Sequence, residues 1–318
     1  MAVLDHDRRR SHKLRNILHS AVLIGGLGLL MSVCAYILWG LQGVIWAGIA
    51  ALFAIVMGPR FSPELVMGLY RAKPIGPEQS ADLHRLVHML ARRADLPAPP
   101  RLYLIASPTL NAFAVGKPDY AAIAMTSGLL NRLGMPEIAG VLAHETSHIR
   151  NNDLWIMGLA DTLSRLTQVM SYFGVFLLIV NLPAVMVGEV VVPWTVVLLL
   201  YLAPTIGSLL QLALSRAREY DADLEAAGLT CDPAGLAAAL GKLERYQGRF
   251  WEDMFLGARR VPAPSLLRTH PPTNERIRRL MELQQTTPQA VPFPSAAGLV
   301  GLAQTPTRAR YHWPGVWY

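Results

Sequence analysis

Cysteine is nearly missing from this chain: Cys34 and Cys231 are the two among 318 residues, which excludes a disulfide framework and suits a reducing environment for the soluble parts. Charge is scarce too. It makes up 16% of the residues, against about a quarter in an ordinary soluble domain. No Asp, Glu, Lys or Arg occurs from Asn16 to Gly58, and Glu189 stands alone among such residues from Leu166 to Leu214. With 52% hydrophobic residues and a mean hydropathy of +0.31, these runs exclude a water-soluble globule and indicate an integral membrane protein. Basic and aromatic residues form no nucleic-acid-binding stripe, so the net charge of +7 is assigned to an anionic lipid surface.

The uncharged runs read as four transmembrane helices in two hairpins. Residues 18 to 39 and 43 to 58 form the first, joined at Gly40-Leu41-Gln42-Gly43; residues 166 to 188 and 190 to 214 form the second, with Asn181, Pro183 and Pro193 around the turn. The limb ending near Gly58 is short and either tilts little or continues as an interfacial stretch from Phe61 to Tyr70. A cleaved signal peptide is the rival reading for the first run, which is too long for one and leads straight into another. Arg8, Arg9, Arg10, Lys13 and Arg15 precede the first span, Arg60, Arg71 and Lys73 follow the second, and neither turn holds a basic residue. Both hairpins therefore start and end in the cytoplasm. The resulting partition is a basic cytoplasmic N-terminus (1–17), a first hairpin (18–58), a cytoplasmic part (59–153), a second hairpin (154–214), a second cytoplasmic part (215–285) and a Pro-rich tail (286–318).

His144-Glu145-Thr146-Ser147-His148 is the chemical signal. On a helix it stacks two imidazoles one turn apart with a carboxylate beside them, a zinc site with its own general base. Gly134 breaks the chain before it, Pro136 and Glu137 suit a first helical turn, and Ile138, Val141 and Leu142 set an apolar stripe that Asn151-Asn152-Asp153 interrupts. Residues 154 to 165 are expected to extend this helix toward the bilayer. A catalytic zinc takes three protein ligands and keeps a fourth position open. Glu219 is the best third ligand; Asp223, four residues on, shares its helix face and can accept the free ring N–H of a ligating histidine. An even number of crossings separates His148 from Glu219, so the hairpin between them permits a shared site on the cytoplasmic side.

Ahead of the motif, a helix at about 78 to 94 carries Leu83, Leu86, Val87 and Leu90 on one face. Strand-like runs follow at 102 to 106, 111 to 115 and 120 to 125, a small sheet packed beside the zinc helix. An edge strand there can hold an extended peptide, and an ordinary structural sheet fits those residues equally well. His84 and His88 are also four apart but lack an acidic neighbour, and are not nominated as ligands. Asp161 and Arg165 have the spacing of an ion pair where the chain nears the bilayer.

HETSHIRNND, SRAREYDAD, NAFAVG and THPPTNERI, in the family's order around two membrane hairpins, resemble the HtpX family of membrane zinc endopeptidases, with the CAAX prenyl proteases as more distant relatives. The match runs from about residue 60 to 285. The resemblance implies one zinc ion per chain on His144, His148 and Glu219, with Glu145 as the base and Asp223 behind a ligand. It also implies Asn111 and its strand beside the peptide, His270 near the tetrahedral intermediate, and Arg276 orienting substrate or holding its helix. Read on residues alone, His270-Pro271-Pro272 is a rigid turn before a helix. The fold class expected is mainly α-helical (α+β): four membrane helices plus a cytoplasmic zinc-protease domain. The resemblance further implies a bacterial-type inner membrane and misfolded or damaged membrane proteins as substrates. A narrower processing protease close to the prenyl proteases and a zinc-binding scaffold without hydrolysis are the alternatives. The tail beyond 286 matches nothing in the family.

Overall fold

A computed structural model describes residues 6–57, 62–186, 193–255, 273–284, 311–312 and 316–317. In chain order the elements are α1 (His6–Met57), α2 (Pro63–Leu69), β1 (Lys73–Pro74), α3 (Ala81–Arg93), β2 (Arg101–Ile105), β3 (Ala112–Lys117), β4 (Tyr120–Thr126), α4 (Ser127–Arg132) and α5 (Met135–Arg150). They continue with α6 (Asp153–Met186), α7 (Trp194–Thr230), α8 (Pro233–Phe255), α9 (Thr273–Gln284), β5 (Tyr311–His312) and β6 (Val316–Trp317). Two compact units divide them. One joins residues 1–60 with 155–217, the other 61–154 with 218–318, and the chain passes between them inside α6 and α7.

The first unit holds the apolar helices. Segments of α1, α6 and α7 (Ser20–Phe53, Asp153–Val180 and Trp194–Thr230) are long and apolar enough to cross a membrane. α1 is interrupted: Trp39 (φ −139°, ψ 17°) and Gly40 (φ 60°, ψ −150°) leave the helical region, the latter in a conformation glycine adopts without strain. A Cβ on Gly43 would stand 2.2 Å from the carbonyl oxygen of Ala35. Eight residues of straight helix span about 12 Å, so the chain turns sharply at this break. The turn sits at Trp39-Gly40 and Leu41 to Gly43 are already helical, whereas the sequence suggested a connection through all four residues 40 to 43. Asn181 and Pro183, expected at the turn of a second hairpin, lie inside α6, which runs on to Met186; proline is tolerated in apolar helices whose freed groups find other partners. The expected centre of that turn, 187–192, lies outside the described residues. Leu27, Met31 and Cys34 of α1 pack with Leu163 and Met170 of α6 and Leu200 and Leu214 of α7.

The second unit is built on a four-stranded sheet in the order β1-β2-β4-β3, with β2 parallel to β4 and the other pairs antiparallel. Alternation decides its two faces. Leu102, Ala114, Ile123 and Met125 join Leu83, Leu86 and Leu90 of α3 and Ile138 and Leu142 of α5 in the main core. Tyr103, Ile105, Ala122 and Ala124 face the other way, onto Met67 of α2. α5 starts as its residues dictate: Gly134 donates its backbone N–H to the Glu137 carboxylate at 2.7 Å, and Pro136 fills the first turn, where an N–H has no helical partner. Against α8 the fit is close to the limit. A Cβ on Gly140 would lie 2.7 Å from the Leu236 backbone, and one on Gly235 2.6 Å from the Pro136 carbonyl.

α5 does not continue into 154–165. It ends at Arg150, capped by Asn151, and Asn152 turns the chain at φ 55°, so Asp153 opens a separate helix. Asn tolerates that left-handed conformation better than most residues. Arg150 and Asn151 both bind the carboxylate of Glu225 on α7, which fastens the end of α5.

Candidate active site

His144 and His148 lie on the C-terminal half of α5, and Glu219 faces them from α7; all three belong to the second unit. The two Nε2 atoms are 3.2 Å apart, His144 Nε2 is 3.4 Å from Glu219 Oε2, and His148 Nε2 is 3.7 Å from Glu219 Oε1. A tetrahedral ion with bonds of about 2.0–2.1 Å holds its ligand atoms about 3.3–3.4 Å apart. The triangle therefore has the size of a metal-binding face, and it can hold an ion.

Each imidazole is fixed from behind. His144 Nδ1 lies 3.1 Å from Asp223 Oδ1, and His148 Nδ1 lies 3.0 Å from Asp153 Oδ2. A proton on Nδ1, donated to the carboxylate, leaves the Nε2 lone pair pointing at Glu219, the tautomer a metal ligand needs. Each carboxylate is held in turn by a buried guanidinium. Arg276 donates to both oxygens of Asp223 at 2.7 and 2.6 Å and lies 3.0 Å from Glu219 Oε2, while Arg218 donates to Asp153 Oδ1 at 2.8 Å. Fork-to-fork geometry is the strongest arrangement such a pair has.

The charges do not cancel among these groups. Asp153, Glu219 and Asp223 bring three buried carboxylates against the two guanidiniums of Arg218 and Arg276, and a buried net charge is costly unless a cation joins it. Burial alone would depress the pKa of His144, but its contacts with Asp223 and Glu219 outweigh this and push it up to about 10. Glu145, next to His144 on α5, is partly exposed and close enough for its charge to act on Arg276.

The structure thus gathers His144, Glu145, His148, Glu219, Asp223 and Arg276. Arg276 is 5% exposed and occupied by Asp223 and Glu219, so it holds carboxylates where substrate contact was one expectation. Asn111 precedes β3, its N–H donating to Thr126 Oγ1 and its carbonyl accepting from the Thr126 N–H, both at 3.0 Å. His270 lies outside the described residues. His84 Nε2 is 2.8 Å from the Ile75 carbonyl and far from ligand duty. Asp153 and Arg218 are the residues that sequence reading missed. Asp153 registered only as the polar end of a stripe, although an acidic residue directly after Asn-Asn marks a helix start; Arg218 was visible only as a neighbour of Glu219.

Residues 77–284 match the model of peptidase family M48. The chain belongs to peptidase family M48. Its relatives include a protein named Protease HtpX homolog from Acaryochloris marina, 38% identical over 290 residues that cover 85% of this chain and 95% of that protein. Another of the same name from Burkholderia ambifaria is 34% identical over 290 residues, 85% of this chain and 98% of that one. Among solved structures, S. mikatae Ste24p aligns with a TM-score of 0.46 and 19% identity, over 84% of this chain and 65% of that one. M48 membership, with the apolar helices, makes this a membrane metalloprotease: a metal-dependent hydrolase of polypeptides.

Proposed function

We infer that this M48 peptidase is a zinc endopeptidase of a bacterial-type cytoplasmic membrane that cuts misfolded or damaged membrane proteins, with its site on the cytoplasmic side. The triangle of His144, His148 and Glu219, with a carboxylate behind each histidine, carries the reading. Two imidazoles and a carboxylate in a tetrahedral-sized set are the ligands of a catalytic zinc with one position open. When bound, zinc acidifies a water toward a pKa of about 7 and polarises the scissile carbonyl.

The chain's own residues do the rest. Glu145, partly exposed next to the ligands, takes a proton from the attacking water; as the C–N bond breaks it returns that proton to the leaving amine, which departs neutral. Asp223 and Asp153 keep the two rings in the ligand tautomer. Arg276 is assigned to fixing Asp223 and Glu219. His270 is assigned, on the family resemblance, to donating a hydrogen bond to the developing oxyanion.

The peptide is assigned to β3, an edge strand among the described residues. Asn111 and Thr126 form a hydrogen-bonded pair, so by antiparallel alternation the N–H and C=O groups of Ala112, Ala114 and Gly116 point away from β4. Main-chain bonding to those groups tolerates many sequences, as removal of damaged proteins requires. The break in α1 supports four crossings, and the absence of Lys and Arg from both turns supports the cytoplasmic orientation.

The test is cleavage of an unfolded protein by detergent-solubilised wild type, Glu145→Gln and His144→Ala, with metal quantified in each. Glu145→Gln is expected to keep its zinc and lose about 10²–10⁴-fold in turnover, and His144→Ala to lose both. Full metal in His144→Ala removes the ligand assignment; undiminished cleavage by Glu145→Gln removes the base.

A further inference from the structure

α2 is apolar on two faces. Pro63 and Met67 are buried, and Tyr70, which follows the helix, packs against Phe113 of the sheet with ring centroids 4.8 Å apart and planes tilted by 47°. Leu65 and Leu69, four residues apart on the other face, are 52% and 66% exposed. Tyr120, 48% exposed, meets the same helix at Glu64: its hydroxyl donates to that carboxylate at 2.6 Å, and the Arg101 guanidinium lies 4.4 Å from its ring. Exposed Arg71 and Lys73 follow directly. Arg71 occupies a left-handed position, φ 50°, where the chain caps α2 through its N–H to the Gly68 carbonyl.

Chain continuity says what covers this face. α2 begins six residues after Met57, where apolar α1 ends, and six residues reach at most about 20 Å. Leucines beside aromatic and basic side chains are the composition of a segment lying in a bilayer interface. Two leucines and a tyrosine also cover far less than the roughly 800 Å² per partner of a stable protein interface, which disfavours a second copy. We propose that the Leu65–Leu69 face of α2, with Tyr120 beside it and Arg71 and Lys73 at its end, rests in the headgroup layer of an anionic membrane.

The experiment uses the full chain in nanodiscs containing phosphatidylglycerol, with Cys34→Ala and Cys231→Ala. Single cysteines replace Leu65, Leu69 or the exposed Glu78 and carry an environment-sensitive fluorophore; each variant is checked for the parent's metal content, and either leucine position suffices if the other misfolds. At 65 and 69 the emission shifts to the blue and nitroxide-bearing lipids quench it severalfold more than at 78; exchange of phosphatidylglycerol for phosphatidylcholine weakens the quenching. Labels at 65 and 69 as open to water as the one at 78 overturn the proposal. So do labels shielded from water but untouched by the lipid nitroxides, since a protein surface would then cover the face. Neither readout requires peptide hydrolysis, so the lipid contact and the protease reading fail separately.

Discussion

The two units bury polar atoms in different ways. In the first, the buried polar residues among those described are hydroxyls: Ser20, Thr167, Ser171 and Ser215. Thr167 illustrates the pattern, donating to the Leu163 carbonyl one turn back at 2.9 Å, a bond made within the helix that asks nothing of a neighbour. The second unit buries Asp153, Arg218, Glu219, Asp223 and Arg276 together with His144. Each of these depends on partners from another segment, so breaking one strands the others in a low dielectric. Packing secures both units, and the second adds a chain of buried ion pairs that ends at His144, His148 and Glu219.

Arg276→Ala tests the contrast most severely. It leaves Asp223 and Glu219 buried without their guanidinium, and a loss of about 3–5 kcal/mol is expected, read as a large fall in the unfolding midpoint of the metal-free protein together with lost metal. Asp153→Asn keeps the size of the side chain but removes its charge from between His148 and Arg218; metal affinity should fall about 10–100-fold, measured by competition with a chromophoric chelator. A stability loss without that affinity change would mean that Asp153 serves folding alone.

Acidity gives the next effect. Metal-free His144, with its pKa pushed up to about 10, is protonated at neutral pH, so metal uptake must release its proton. Apparent affinity should rise about tenfold per pH unit from pH 7 to 8 for that single proton, and calorimetry in buffers of different ionisation enthalpy counts the protons released. Without metal the sign reverses. The raised pKa stabilises the fold fully below the ordinary histidine value near 6.5, and this contribution is lost as the pH climbs through about 10. The smallest change belongs to the apolar unit: Thr167→Val should alter the unfolding free energy by about 0.6 kcal/mol or less. A loss comparable with that of Arg276→Ala would erase the distinction between the units.

How far each unit could be read in advance follows the same division. The helix around His144 was legible at its start and along its apolar stripe because Gly134, Pro136 and Glu137 act locally; its stop at Arg150 was not, since Asn151 and Asn152 read as an interruption of a helix running on through 154 to 165. The strands announced themselves by alternation and by Pro and Gly between them. Glu219 and Asp223 were found by their spacing on one helix. The pairing of Asp153 with Arg218 was not, because it joins residues 65 positions apart and no periodicity links them. Helix bounds in the apolar runs were blurred for the opposite reason: along an almost uncharged stretch, Asn181 and Pro183 look like a turn while the backbone continues as helix.

Chain order has a bearing on biosynthesis. His148 is synthesised before α6 and α7, and Glu219 follows only near the end of α7. At roughly 5–20 residues per second, the ligand group waits several seconds for its third member, and longer for Arg276. The nascent chain therefore carries an incomplete hydrolytic centre until the long apolar helices have been synthesised, so a newly made protease acquires its cutting power only after the part that anchors it.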